Sequence, residues 1–129
     1  MTFDGSPCVL LWNYSSAEKA EMDRFLAEVK APPAVLIAKD QGYLPLKEII
    51  LAQAHGAQEF ECAEKVVLFY KIPSKGIAFL IEQAKSRPLP RPIYAAVTEF
   101  SINWPLHELL ADLIRERAAF AAAARQEQP

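Results

Sequence analysis

The chain has 129 residues, of which 52% are hydrophobic and 23% charged, a composition typical of one globular domain that excludes a disordered, collagen-like or disulfide-scaffold chain. Its net charge of -2 leaves no basic surplus for neutralising phosphates, so we expect no nucleic-acid partner. The apolar runs are shorter than the roughly 20 residues that a membrane-spanning helix needs, so we expect no membrane partner.

The N-terminus and the cysteines bear on the compartment. Residues 1–7 contain no basic cluster before an apolar stretch, so we expect no secretory signal and a cytoplasmic location. Cys8 and Cys62 lie far apart and outside any metal-type spacing. In a reducing compartment we expect two free thiols, with Cys8 as a small core residue; a disulfide between them is the alternative.

Four short apolar runs predict four strands, at residues 8–14, 34–38, 66–70 and 93–98. The runs show little polar alternation, which is typical of parallel strands covered on both faces. A helical pattern follows each run, beginning near Ser16, Pro45, Ser74 and Pro105. The alternation of strand and helix predicts a single α/β domain over residues 1–129.

An Ala-rich helical extension is expected at residues 117–129. Six alanines surround Phe120 between residues 118 and 124, and no further element follows to cover them. Because Ala-rich helices hold together in water mainly when packed, we expect this extension to pack on its own domain or to form a homodimer.

The two halves of the chain resemble each other. Val9-Leu10-Leu11-Trp12 matches Val67-Leu68-Phe69-Tyr70 in type, and a polar turn and a serine (Ser16, Ser74) follow each. A second pair of motifs, Pro45-Leu46-x-Glu48 and Pro105-Leu106-x-Glu108, recurs at a similar distance. We therefore expect residues 8–56 and 66–116 to be two copies of one β-α-β-α unit.

Such a duplication predicts the topology. With right-handed crossovers and the first and third strands adjacent, the sheet would be parallel with order 2-1-3-4 and helices on both faces, a three-layer arrangement. Ligands of such sheets bind beyond the carboxyl ends of the central strands. The expected crevice would be lined by Asn13, Tyr14, Ser15, Ser16, Ile72, Pro73 and Ser74.

Recognised catalytic and cofactor motifs are missing from the sequence. Four glycines cannot supply a Gly-rich phosphate loop, and no Gly-x-Ser-x-Gly elbow surrounds a serine. His107-Glu108 lacks the second histidine of a zinc helix, so we expect no metal, no cofactor and a solvated His107. A receiver domain would carry acidic residues at the positions of Asn13 and Lys71, so we expect no phospho-acceptor role.

The segment from Thr98 to Leu109 carries the motif Thr98…Asn103-Trp104-x-Leu106-x-Glu108-Leu109. With it, the chain resembles a family of small bacterial proteins of unknown function, whose last helix follows an Asn-Trp turn. Glu99, Phe100 and Ser101 replace the family's Pro-Thr-Asn turn, and Pro105 replaces its capping threonine. Because the family has no assigned activity, the resemblance implies no reaction.

Two roles are open for the Asn103-Trp104 turn. In the favoured one, Asn103 bonds the turn backbone and Trp104 packs the last helix onto the sheet. In the other, Thr98, Asn103 and Trp104 form a polar and aromatic rim that stacks on a ligand.

The sequence favours a non-catalytic module that binds a ligand or a protein. The alternative is a cofactor-independent hydrolase or transferase that uses Ser15, Ser16 or Thr98 at the strand ends, although no base–nucleophile pair is recognisable.

Overall fold

The computed structural model describes residues 6–52 and 55–127, with side chains described for residues 6–51 and 55–119. Strands and helices alternate in the predicted order, and two short 3-10 turns, at residues 39–41 and 101–103, follow the second and the fourth strand. The elements are β1 (Cys8–Trp12), α1 (Ser16–Glu28), β2 (Ala34–Ile37), α2 (Leu46–Ala52), β3 (Val66–Tyr70), α3 (Ser74–Lys85), β4 (Ile93–Ala96) and α4 (Leu106–Glu127).

The four strands form one sheet in the predicted order, β2-β1-β3-β4. β1 is parallel to β2, and β3 is parallel to β4. β1 and β3, however, are antiparallel, with Cys8 opposite Tyr70 and Trp12 opposite Val66. The sheet is therefore mixed, and the prediction of a purely parallel sheet is wrong.

The physical reason for this error lies in what an apolar run encodes. All five residues of β1 and the first four of β3 are buried, which accounts for their lack of polar alternation. Burial on both faces does not depend on strand direction, because side chains alternate between the two faces in parallel and antiparallel strands alike. Hydrophobicity predicted the strands but could not predict the orientation of β3.

Each face of the sheet carries one apolar cluster. Leu10, Trp12 and Leu68 point to the face where they pack with residues of α2 and α4, including Leu46, Ile49, Leu106 and Leu110. Val9, Leu11 and Phe69 point to the other face and pack with residues of α1 and α3, including Met22, Phe25, Leu26, Leu80 and Ala84. Helix side chains thus cover both faces of the two central strands.

The cysteines behave as expected. Both are free thiols, and Cys8 is fully buried, which raises its pKa to about 11 because burial disfavours the thiolate. Cys62 is partly buried against the cluster on the α2/α4 side.

The helical extension continues α4 to Glu127. The side chain of Phe120 and those of the alanines after it lie outside the described residues, so the homodimer stays a prediction. In the part of the chain that the structure describes, no helix is both long and apolar enough to cross a membrane.

Candidate functional site

The expected crevice between β1 and β3 is not formed. Because β1 and β3 are antiparallel, the carboxyl end of β1 lies beside the start of β3, and the carboxyl end of β3 lies beside the start of β1. Asn13, Tyr14, Ser15 and Ser16 are therefore at one end of this strand pair, whereas Ile72, Pro73 and Ser74 are at the other. The prediction that these residues line one crevice is wrong.

The turn after β1 is held by Lys65, the residue that precedes β3. The Nζ atom of Lys65 donates to the Asn13 carbonyl and to Glu18 Oε1, both at 2.8 Å, and lies 5.0 Å from the centroid of the Tyr14 ring. Asn13 adopts a φ of 64°, and its Nδ2 donates to the Ala63 carbonyl at 2.7 Å. The contacts of Lys65 with Asn13 and Glu18, and of Asn13 with Ala63, therefore join the two halves of the chain at this turn.

The strand-end hydroxyls have structural roles. Ser15 is the N-cap of α1: its Oγ accepts from Glu18 N at 3.1 Å, and Glu18 Oε1 accepts from Ser15 N at 2.9 Å, which completes a capping box. Thr98 Oγ1 accepts from Ser101 N at 3.1 Å, and Ser101 Oγ accepts from Thr98 N at 2.9 Å. Ser16 and Ser74 form no hydrogen bond with a histidine within the described residues.

Tyr14 is 7% exposed, and its hydroxyl has no hydrogen-bond partner within the described residues. Burial raises its pKa well above the ordinary value for a tyrosine, with smaller contributions from Tyr94 and Glu18. The side chain packs in the cluster on the α1/α3 side, so it acts as a core residue.

The Asn103-Trp104 turn differs from the favoured expectation. Trp104 is 40% exposed, so its assignment as a buried packing residue is wrong. Asn103 is exposed, and its side chain makes no hydrogen bond with the described residues; the turn is held by Thr98 and the buried Ser101 instead. The side chain that enters the core where α4 begins is that of Leu106, which is fully buried.

An aromatic surface lies next to Trp104. The rings of Tyr43 and His107 are 4.8 Å apart, and Phe60 packs against both, at 5.5 Å from Tyr43 and 5.8 Å from His107. Tyr43 is 44% exposed. We define the aromatic surface as Tyr43, Trp104 and His107, with Phe60 as its support.

His107 was expected to be solvated, and that prediction is wrong. Its ring is partly buried against those of Tyr43 and Phe60, and Nδ1 is buried without a hydrogen-bond partner in the described part of the chain. The glycine before Tyr43 permits this packing, because a Cβ at Gly42 would lie 2.3 Å from Phe60 Cβ. Sequence reasoning missed Tyr43 and Phe60. The repeated Pro-Leu-x-Glu motif was a signal for Tyr43, because Tyr43 precedes Pro45 by two residues, as Asn103 precedes Pro105.

A reciprocal pair of backbone hydrogen bonds positions this surface. Leu46 N donates to the Trp104 carbonyl at 3.0 Å, and Leu106 N donates to the Leu44 carbonyl at 2.9 Å, on either side of an antiparallel bridge between Pro45 and Pro105. His107 N also donates to the Gly42 carbonyl at 2.7 Å. The starts of α2 and α4 are thereby joined, which brings Tyr43 and His107 together.

The surface continues into a shallow cavity of about 330 Å³ along the first turns of α4. Arg115 is paired with Asp112 at 3.0 Å, whereas Glu108 is exposed and forms no ion pair among the described residues. The cavity is lined by Trp104, His107, Glu108, Ala111, Asp112 and Arg115.

Asp40, in the 3-10 turn after β2, contacts a histidine. His55 Nδ1 lies 2.9 Å from Asp40 Oδ1, and both side chains are partly or largely exposed. Within residues 6–52 and 55–127, no three His, Cys, Asp or Glu side chains are grouped so that they could hold a metal ion.

Residues 65–120 match a family described as a domain of unknown function (DUF3783). This range contains β3, α3, β4 and most of α4, and it includes the segment 98–109 on which the sequence resemblance rests. No curated protein and no solved structure matches the chain.

The Glu18–Lys65 pair predicts a pH-dependent contribution to stability. Lys65, followed by the backbone and side chain of Ser15, lowers the pKa of Glu18 below its ordinary 4.5. Since the pKa of Glu18 is lower in the folded than in the unfolded chain, the stabilisation is fully present above pH 4.5, the ordinary pKa. It is lost as the pH falls through the lower pKa of the folded state. We expect Glu18→Gln to lower the free energy of unfolding, measured by urea melts at pH 7, by about 0.5–1 kcal/mol. The glutamine can still accept the capping hydrogen bond from Ser15 N, so the loss reports the missing charge beside Lys65.

The same melts at low pH should show no difference between Glu18→Gln and the wild type. Glu21→Gln, on the exposed side of the same helix, provides the matched control and should change stability by less than about 0.5 kcal/mol throughout. A Glu18→Gln effect that persists unchanged below the folded pKa would contradict the ion-pair explanation.

The turn after β4 gives a second prediction. Trp104→Ala should lower the free energy of unfolding by only about 1 kcal/mol, because the side chain is 40% exposed. Removing a buried tryptophan side chain would lower it by about 3–5 kcal/mol. Ser101→Ala should cost about 1–3 kcal/mol, because it leaves the Thr98 N–H without its acceptor. Urea melts measure both, and Asn103→Ala serves as a control expected within about 0.5 kcal/mol of wild type. A loss above about 3 kcal/mol for Trp104→Ala would mean that this side chain is a core residue after all.

Proposed function

We propose that the protein is a non-catalytic protein-binding module whose contact surface is the aromatic surface of Tyr43, Trp104 and His107. The single observation that carries this proposal is the exposure of Tyr43 (44%), whose ring contacts His107, and of Trp104 (40%), which lines the same cavity as His107. Tyr and Trp are enriched in protein interfaces, where they supply most of the binding energy. A grouped set of exposed aromatic residues is typical of an interaction site rather than of an ordinary surface.

The module is proposed to consist of two copies of one β-α-β-α unit, residues 8–56 and 66–116. The reciprocal hydrogen bonds between Leu46 and Trp104 and between Leu106 and Leu44 support this, because they join corresponding positions of the two units. The central pair of the β1–β3 ladder, Leu10 with Leu68, likewise joins corresponding residues. The family match over residues 65–120 covers the second of these units completely.

The chemistry beside the aromatic surface suggests a basic partner segment. Glu108 lines the same cavity as Trp104, is exposed and forms no ion pair with a described residue. An arginine of the partner could stack on the indole while its guanidinium approaches this carboxylate, which combines a cation–π contact with a charge pair. We therefore propose a partner that presents an arginine on an exposed segment.

Catalysis by strand-end hydroxyls finds no support in the contacts. Ser15 caps α1 and Thr98 holds a turn with Ser101, and none of the candidates Ser15, Ser16 and Thr98 forms a hydrogen bond with a histidine in the described residues. A nucleophile needs a base within hydrogen-bond reach.

The test begins with affinity capture from a lysate of the source cells, using the full chain as bait, and identification of the retained proteins. The affinity of each purified candidate is then measured for the wild type and for Trp104→Ala. We expect at least a tenfold loss of affinity, about 1.4 kcal/mol, for Trp104→Ala, because a stacked aromatic at the centre of an interface is a hot spot. Glu108→Gln should weaken binding less at high salt than at low salt, because its charge pair is screened.

Phe79→Ala is the matched control, since Phe79 is an aromatic residue of similar exposure (48%) on α3. It should leave the affinity within about twofold of wild type. A partner whose affinity drops with Phe79→Ala but not with Trp104→Ala, or the retention of no protein that distinguishes the two variants, would contradict the proposal.

A further inference from the structure

The connection between α3 and β4 presents an arginine between two prolines. We define the proline–arginine segment as residues 87–92, with the sequence Arg-Pro-Leu-Pro-Arg-Pro. Leu89 packs in the cluster on the α1/α3 side, and Pro90 and Pro92 are partly buried, whereas Arg91 is exposed. Because proline fixes φ, this backbone has little freedom left to lose when the Arg91 side chain binds a partner.

The positive charge of Arg91 is not neutralised by its neighbours. Among the described residues Arg91 forms no ion pair, whereas Arg87 is paired with Glu28. The cavity of about 180 Å³ that Arg91 lines has no aspartate or glutamate in its lining. Tyr94, which lines the same cavity, carries no charge at pH 7, because burial raises the pKa of its hydroxyl more than the nearby Arg91 lowers it. The segment therefore favours a negatively charged partner group.

The aromatic surface carries the opposite charge. Glu108 is exposed and forms no ion pair with a described residue, whereas Asp112 of the same cavity is paired with Arg115. One negative charge is thus left uncompensated next to the exposed Trp104. Proline-rich segments dock on aromatic surfaces, and an arginine stacks on an indole ring. The segment and the surface are complementary in charge and in the kind of apolar contact they offer.

One chain cannot bring these two features together. Arg91 precedes the start of β4, whereas Trp104 follows its end, so they lie at opposite ends of this strand. Leu89 of the segment packs with α1 and α3, whereas Leu106, which begins α4 beside Trp104, packs on the other face of the sheet. A contact between the segment and the aromatic surface therefore requires two copies of the chain.

We propose that the aromatic surface of one copy binds the proline–arginine segment of a second copy of this chain. The Arg91 guanidinium stacks on the Trp104 ring and pairs with Glu108, and Pro88, the exposed proline of the segment, adds apolar contact. The inference rests on the proposed function, because it names the partner of the same surface. Since the contact joins two unlike surfaces, each copy can bind two others, which generates a ring or an open chain of copies.

Sedimentation equilibrium of the full chain at increasing concentration measures this self-association. We expect the average mass of the wild type to rise with concentration and to fall with added salt, because salt screens the exposed charge pair. Arg91→Glu and Glu108→Lys should each weaken self-association at least tenfold, since each sets like charges against one another. A wild type that stays monomeric, or self-association that neither variant weakens, would overturn the proposal.

A mixture of the two variants gives the sharpest result. Arg91→Glu keeps the aromatic surface intact, and Glu108→Lys keeps the proline–arginine segment intact, so the mixture restores the contact between Glu108 and Arg91. Both positions are exposed, so neither change removes a buried contact. We expect the equimolar mixture to associate at a concentration at which each variant alone is monomeric. A mixture that stays monomeric would overturn the proposal.

Arg24→Glu is the matched control. Arg24 is also exposed and forms no ion pair within the described residues, but Glu21 and Glu28 line the cavity beside it. The change in net charge is the same as in Arg91→Glu, and the dissociation constant should stay within about twofold of wild type. A loss as large as that of Arg91→Glu would show a general effect of charge and would overturn the assignment to Arg91.

Trp104→Ala separates this inference from the proposed function. It should weaken self-association at least tenfold, because the arginine loses the ring on which it stacks. A monomeric wild type that binds a different protein through Trp104 would overturn the second copy as partner and leave the proposed function standing. Self-association and partner binding that both survive Trp104→Ala would overturn both.

Discussion

The antiparallel pairing of β1 with β3 determines where the other elements of this fold lie. Five residue pairs join the two strands, from Cys8 with Tyr70 to Trp12 with Val66, and nearly every side chain among them is buried. β2 and β4 extend the sheet in parallel on its two outer sides. Reversing β3 would bring the turns after β1 and β3 to the same end of the sheet and would remove the contact between Lys65 and the turn after β1.

The aromatic surface depends on how the two halves of the chain are joined. On one face, the joined starts of α2 and α4 bring Tyr43 next to His107 and leave Trp104 exposed beside them. On the other face, the ion pair of Glu18 with Lys65 joins the turn after β1 to the start of β3, whereas within the described residues no ion pair joins the turn after β3 to the start of β1. Similar backbone environments thus have different chemistry, because different side chains stand at corresponding positions.

Much of the fold could be predicted from the sequence. The apolar runs and the stripes of Leu46, Ile49, Leu106 and Leu109 predicted four strands and four helices, because a continuous apolar run is typical of a strand buried on both faces and an i, i+3, i+4 stripe is typical of a helix. The similarity of the two halves predicted the strand order. The direction of β3 could not be predicted, because hydrophobic periodicity carries no information on it. Matching the two halves showed only that Leu10 corresponds to Leu68, and that correspondence holds for either direction.

The candidate site was harder to predict than the fold. Trp104 was placed in the core because large aromatic residues at helix starts are commonly buried, whereas here the first buried residue of α4 is Leu106. His107 was expected in solvent, but the rings of Tyr43 and Phe60, distant in sequence, pack against it and leave it partly buried. Contacts between residues more than 40 positions apart depend on the tertiary arrangement, and one sequence holds no local signal for them.

The most direct test of this account is the orientation of β3 relative to β1, measured by cross-strand nuclear Overhauser effects in the labelled protein. Antiparallel pairing predicts contacts between the backbones of Trp12 and Val66 and between those of Cys8 and Tyr70, with Leu10 opposite Leu68 in between. Backbone contacts of Trp12 with Tyr70 and of Cys8 with Val66 would instead show a parallel pair and contradict the account.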